Sequence, residues 1–129
     1  MSEHRKLHRA NKGVREFFER EEGEDSVHLS IVVIAEIRRG VEMSRRRGDV
    51  RSASIYGNWL DSVKEEYKQR ILPVDKAIGE LWGRLRVPHA EPALDKLIAA
   101  TAIVHGLTVV TRNVKDFEGT DVKVLNPFD

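Results

Sequence analysis

"DKLIAATAIVHGLTVVTRNVKDF", residues 95–117, decides the fold. Asp95 opens an almost wholly apolar run in which Ile98, Ala99, Ala102 and Ile103 share its face at helical spacing. The segment therefore reads as a helix with Asp95 in its first turn, pointing inward. Gly106 is placed to close that helix in a left-handed conformation. "LTVVT" (107–111) then reads as a strand, and Asp116 lies five residues beyond Thr111. Charge is costly to bury. Two carboxylates beside the most apolar segment either cap local structure or together hold something positive.

Outward from this stretch, strands and helices alternate. "VHLSIVVI" (27–34) is rich in β-branched residues and reads as a strand buried on both faces. "AEIRRGVEMSRRR" follows as a helix with Ile37 and Val41 one turn apart, and Ile55, Trp59, Leu60 and Val63 mark a longer one. "RILPV" (70–74) is a short strand limited by Pro73. Ile78, Leu81, Trp82 and Leu85 then form an apolar helical face behind Asp75, a fitting N-cap. A loop with Pro88 and Pro92 leads to the opening helix, and "VKVL" is the last strand. Val14, Phe17 and Phe18 suggest a further short helix near the N-terminus. The pattern predicts an α/β fold with a parallel sheet covered on both sides.

The 129 residues suit one domain with a real core, 40% hydrophobic and 33% charged. No cysteine is present, which excludes disulfides and thiolate metal sites. No apolar run approaches the ~18 residues of a membrane span, and "MSEHRKLHRA" lacks a signal peptide's apolar core. A cytoplasmic protein without membrane contact is expected. The net charge is only +1, yet six arginines lie between Arg38 and Arg51 against Glu42 and Asp49, while "EREEGED" (19–25) is acidic. The arginine group is either a solvated helix face or a surface for RNA phosphates or an acidic protein segment. His4 and His8 have no third ligand at a telling spacing, and His105 suits a helix C-terminus. Trp59 and Trp82 read as core or contact residues. Phosphate-loop, GxSxG and HExxH motifs are absent.

In open α/β sheets, ligands sit at the carboxyl ends of strands. Glu36 follows the strand over 27–34, and Asp116 follows Thr111, which places both at one sheet edge beside Asp95. Singly, each acid has a local explanation: a first-turn acid for Glu36 and Asp95, a turn residue for Asp116. Together they would repel unless a hard divalent cation relieved them. Mg²⁺ or Mn²⁺ takes such oxygen ligands and activates water against a phosphodiester. Thr111, Arg112 and Asn113 would flank it as donors to phosphate or to bound water.

"LSIVVIAEIRRG", "RILPVD", "LWGRL", the opening stretch and "VLNPF", in this order from Leu29 to Phe128, resemble the PIN-domain family of VapC-like and FitB-like toxins. The resemblance implies a three-layer α/β/α fold with a parallel sheet and a metal-dependent endoribonuclease. It also implies a cognate antitoxin that blocks the site, and a homodimer. It assigns the metal-binding acids to Glu36, Asp95 and Asp116, with Thr111 and Asn113 nearby. The family opens on a central strand ending in an Asp-Thr-Asn-like motif, whose Asp is a metal ligand. This chain begins "MSEHRK", which looks like the segment just after that motif. A late-assigned start, a degraded toxin, or a gap filled by a second chain or a rearranged sheet would each account for the missing strand and Asp. The loop "RVPHAEPAL" is also short for the family. Two functions follow: an active Mg²⁺- or Mn²⁺-dependent ribonuclease, or an inactive truncated PIN domain that binds an antitoxin or dimerises.

Overall fold

Ser30 is where strand turns to helix, in the computed structural model that describes residues 27–127. The helix expected around Val14, Phe17 and Phe18, and the His4–His8 pair, lie outside the described residues. β1 (Leu29–Ser30) is followed directly by α1 (Ile31–Arg46). The strand expected over 27–34 thus ends four residues early. The Ser30 hydroxyl accepts from Val32 N at 3.0 Å and caps the helix. The β-branched run favours extended chain, but intrinsic propensity is a weak preference that burial overrides. Ile34 and Val41, two turns apart, are both buried, with Ile37 between them half-buried on the same face.

α2 (Val50–Glu66) starts at Asp49, whose carboxylate accepts from Ser52 N at 3.1 Å. α1 and α2 pack together as a hairpin. Their shared core is Ile34, Leu60 and Val63, with Trp59, Tyr67 and Ile71 against it. β2 (Ile71–Leu72) then pairs in parallel with β1, Leu29 opposite Ile71.

α3 (Lys76–Leu85) has the expected cap: Asp75 accepts from Ile78 N at 3.0 Å. Asp75→Ala is expected to lose about 1 kcal/mol, read as a drop of a few degrees in Tm; an unchanged Tm would mean that the cap contributes nothing. α4 (Ala93–His105) ends at Gly106, whose φ of 67° is the left-handed conformation expected of a helix-closing glycine. β3 (Val109–Val110) and β4 (Val124–Leu125) are parallel, and Thr111 N donates to Leu125 O at 3.0 Å beyond the pair. Between them lies one turn of 3₁₀ helix, Val114–Phe117.

The parallel sense is the one expected. Among the described residues it is divided into two two-stranded pairs, β1–β2 and β3–β4. Each pair has its own core. Ala99, Ala102, Val109 and Phe117 form the second, and α4 touches α1 as well as α3. Among the described residues, no helix is long and apolar enough to cross a membrane.

Candidate active site

Asp95 is the third residue of α4, in its first turn, and is half-buried. The helix begins after Pro92, which offers no side-chain cap. Glu91 takes that role through its Oε1, which accepts from Ala93 N at 2.9 Å. Asp95 is therefore a first-turn acid and not the N-cap. Ala99 and Ala102 on its face are buried, as expected.

Asp116 is brought to Asp95 by packing. Val109 N donates to Lys123 O at 2.9 Å, and the ladder to β4 fixes the end of β3. The Thr111 hydroxyl then accepts from Asn113 N at 3.0 Å, turning the chain into the 3₁₀ helix. Asp116 N donates to Asn113 O at 3.0 Å within that turn. Phe117, only 5% exposed, inserts among Ala99, Ala102 and Val109 and fastens the turn to α4. A buried residue thus places its polar neighbour.

The consequence is electrostatic. The Asp95 carboxyl is held above the ordinary carboxylate range, first because burial desolvates it, then because the Asp116 charge opposes its ionisation. The positive end of the α4 dipole pulls the other way and is outweighed. Among the described residues, no hydrogen bond or ion pair relieves the Asp95 carboxylate.

The third acid stands differently. Glu36 is the sixth residue of α1, so it occupies the second turn and not the first. It is exposed. Among the described residues, no three His, Cys, Asp or Glu side chains are grouped so as to hold a metal ion. The structure therefore brings Asp95 and Asp116 together and leaves Glu36 outside such a group. Of the flanking residues, Asn113 and Arg112 are exposed, and Thr111 is half-buried with its oxygen already engaged by Asn113 N.

A cleft of about 360 Å³ opens elsewhere, between α1 and α2, and is lined by Ile37, Met43, Arg47, Ser52 and Tyr56 among others. It contains none of the three acids. Within the arginine group, Glu42 pairs with Arg38 and Arg45, and Arg38 also reaches Asp61 at 3.4 Å. The Arg45 contact holds the Glu42 carboxyl below its ordinary range. Arg39, Arg46 and Arg51 are exposed and make no ion pair among the described residues.

Sequence reasoning missed the role of Trp82. Its indole N–H donates to Ala93 O at 2.8 Å, across the loop that precedes Asp95. Its helical spacing marked only an apolar position.

Comparison with known proteins bears on the family and the fold. The chain is 33% identical over 111 residues to Toxin FitB of Neisseria gonorrhoeae, covering 81% of this chain and 77% of that protein. It is 28% identical over 114 residues to the VapC ribonuclease Y4jK of Sinorhizobium fredii, covering 81% and 77%. The crystal structure of FitAcB from Neisseria gonorrhoeae superposes with a TM-score of 0.78 at 31% identity, covering 91% of this chain and 86% of that one. Residues 6–123 match the PIN domain. With a match over most of its length, the chain belongs to the PIN domain family.

Proposed function

We propose that the chain is the toxin of a toxin–antitoxin pair, a cytoplasmic endoribonuclease that uses Mg²⁺ or Mn²⁺. One observation carries the reading: Asp95 is partly desolvated beside Asp116, and burial and then the Asp116 charge oppose its ionisation. Two carboxylates so placed gain most from a cation, and an all-oxygen donor set suits Mg²⁺ or Mn²⁺. Asp95 and Asp116 would hold the ion, and Glu36, exposed on α1, stands outside that pair. When bound, such an ion polarises a phosphoryl oxygen and lowers the pKa of water for attack on the phosphodiester.

The chain's own residues do the rest. The Thr111 hydroxyl donates toward a phosphate oxygen while Asn113 N keeps it oriented. Asn113 and Arg112 supply further donors at the mouth of the turn. The acids themselves repel RNA, so attraction must come from elsewhere on the surface. Arg39, Arg46 and Arg51 are exposed and supply it. A cognate antitoxin and a second copy of the chain are the protein partners of this reading, in keeping with the similarity to a protein named as a toxin.

The test is cleavage of a labelled structured RNA with and without Mn²⁺, beside Asp95→Asn. Metal-dependent cleavage that the variant loses supports the ribonuclease. The exposed position of Glu36, outside any group of three ligands, favours a second reading: a module that binds an antitoxin or dimerises without cutting. Absence of cleavage together with retained antitoxin binding would select it.

The arginine face gives its own expectation. Arg46→Gln with Arg51→Gln should raise KM for RNA with little change in kcat. It should also flatten the dependence of log Kd on log salt by about 0.7 for each phosphate no longer neutralised. RNA binding equal to wild type, with antitoxin binding abolished, would transfer this face to the protein partner.

A further inference from the structure

The loop between α3 and α4 is held by a set of side-chain bonds that converge on the turn carrying Asp95. Lys96 is the most unusual member. It follows Asp95 directly, it is charged, and it is only 7% exposed. A buried ammonium is costly unless hydrogen-bonded, and this one donates to His89 O. At the C-cap of α3, the Arg86 guanidinium donates through Nε to Ala90 O at 3.0 Å and stacks on the Trp82 ring, 4.8 Å from its centroid. Trp82 in turn donates to Ala93 O at 2.8 Å.

These bonds are not repeated along the loop at random. His89 and Ala90 lie in the loop outside any strand or helix, and their carbonyls take partners from side chains. Trp82 reaches from α3 to the first residue of α4, Arg86 from the C-cap of α3 to the loop, and Lys96 from α4 back to the loop. Lys96 N donates to Pro92 O at 3.1 Å, the first i→i−4 bond of α4, so the residue opens the helix ladder while its side chain bonds the loop. The first turn of α4 has no side-chain cap from its own N-cap residue. Its orientation is set instead from outside.

Resting on the metal site proposed above, we propose that Lys96 and Trp82 are positioning residues for Asp95, locking the first turn of α4 at the place where Asp95 meets Asp116. Neither touches metal or substrate. A carboxylate that must face a second carboxylate needs such support, because the repulsion between them pushes the turn open. Outer partners of metal ligands characteristically tune affinity in this way.

The experiment uses the full chain with Lys96→Met, Lys96→Arg and Trp82→Phe, which keep stem or ring while removing or preserving the donor. Two readouts are taken: Mn²⁺ affinity by titration, and amide hydrogen exchange along α4 without metal. Lys96→Met and Trp82→Phe are expected to weaken Mn²⁺ binding about tenfold. They should also speed exchange at the Lys96 amide while leaving the amides of 100–105 unchanged. Lys96→Arg should restore both. KM for RNA should stay at the wild-type value while kcat falls. Wild-type exchange at Lys96 in both donor-lacking variants overturns the lock, and so does Mn²⁺ affinity equal to wild type. Faster exchange along the whole of α4 in both variants also overturns it, since the residues would then be merely structural. If the wild-type chain itself binds no Mn²⁺, the metal site fails and not the lock, and the exchange readout alone decides the lock.

Discussion

In Asp95→Asn, Mn²⁺-dependent RNA cleavage is expected to fall more than about 100-fold, above the 10–100-fold that loss of an outer partner costs. The metal-free protein should at the same time become more stable at neutral pH. The two effects have one cause. Asp95 is desolvated and faces Asp116, so its ionised form is disfavoured in the fold. The carboxamide keeps the shape and removes the charge. A variant that cleaves as well as wild type would remove Asp95 from the chemistry. One that loses activity and stability together would make Asp95 a structural residue.

The pH dependence follows with a definite sign. Folding raises the Asp95 pKa, so the folded chain binds this proton more tightly than the unfolded chain. The contribution to stability is fully present below the ordinary carboxylate value and is lost as pH rises through the folded value. Without metal, wild type should therefore fall behind Asp95→Asn in Tm across that window, and the gap should close in acid. Mn²⁺ reverses the order. Ligand at 100 times Kd adds about 2.7 kcal/mol to a protein that binds it, and the variant should gain far less. A Tm difference that ignores both pH and Mn²⁺ would contradict the repulsion between Asp95 and Asp116.

What made this legible in sequence was the coincidence of two periodicities. The helical face Ile98, Ala99, Ala102 was readable because it is unbroken, and Gly106 because few other residues tolerate its conformation. Asp75 was readable because a cap acts on residues three positions away. The strand over 27–34 failed where local preference and burial disagree: Ser30 caps a helix made of residues that favour strands. Glu36 was placed by a rule about sheet edges, which gives a side of the fold but no distance. The bonding roles of Trp82 and Lys96 left no signal, since both donate to backbone carbonyls, of Ala93 and His89, which any residue carries.

Phe117→Ala carries the largest stability loss expected among the described residues. Truncating a buried Phe typically costs about 3–5 kcal/mol, against about 5–15 kcal/mol of total stability for a domain. Phe117 packs with Ala99, Ala102 and Val109, in a cluster bordered by Leu85, Ile98 and Leu107. Leu60→Ala should cost about 2–5 kcal/mol, but in the other cluster, with Ile34 and Val63. The pair separates global from local consequences. Phe117 fastens the four-residue turn that presents Asp116, whereas Leu60 is remote from it. At low temperature, with both variants folded by circular dichroism, Phe117→Ala should bind Mn²⁺ at least about tenfold more weakly, the order of loss seen when support for a ligand is removed. Leu60→Ala should bind as wild type. Where Phe117→Ala does not fold, Phe117→Leu serves with a smaller effect in the same direction. Equal Mn²⁺ affinity in the two folded variants would show that Asp116 is held by something other than Phe117, and the link from core packing to the acid pair would break there.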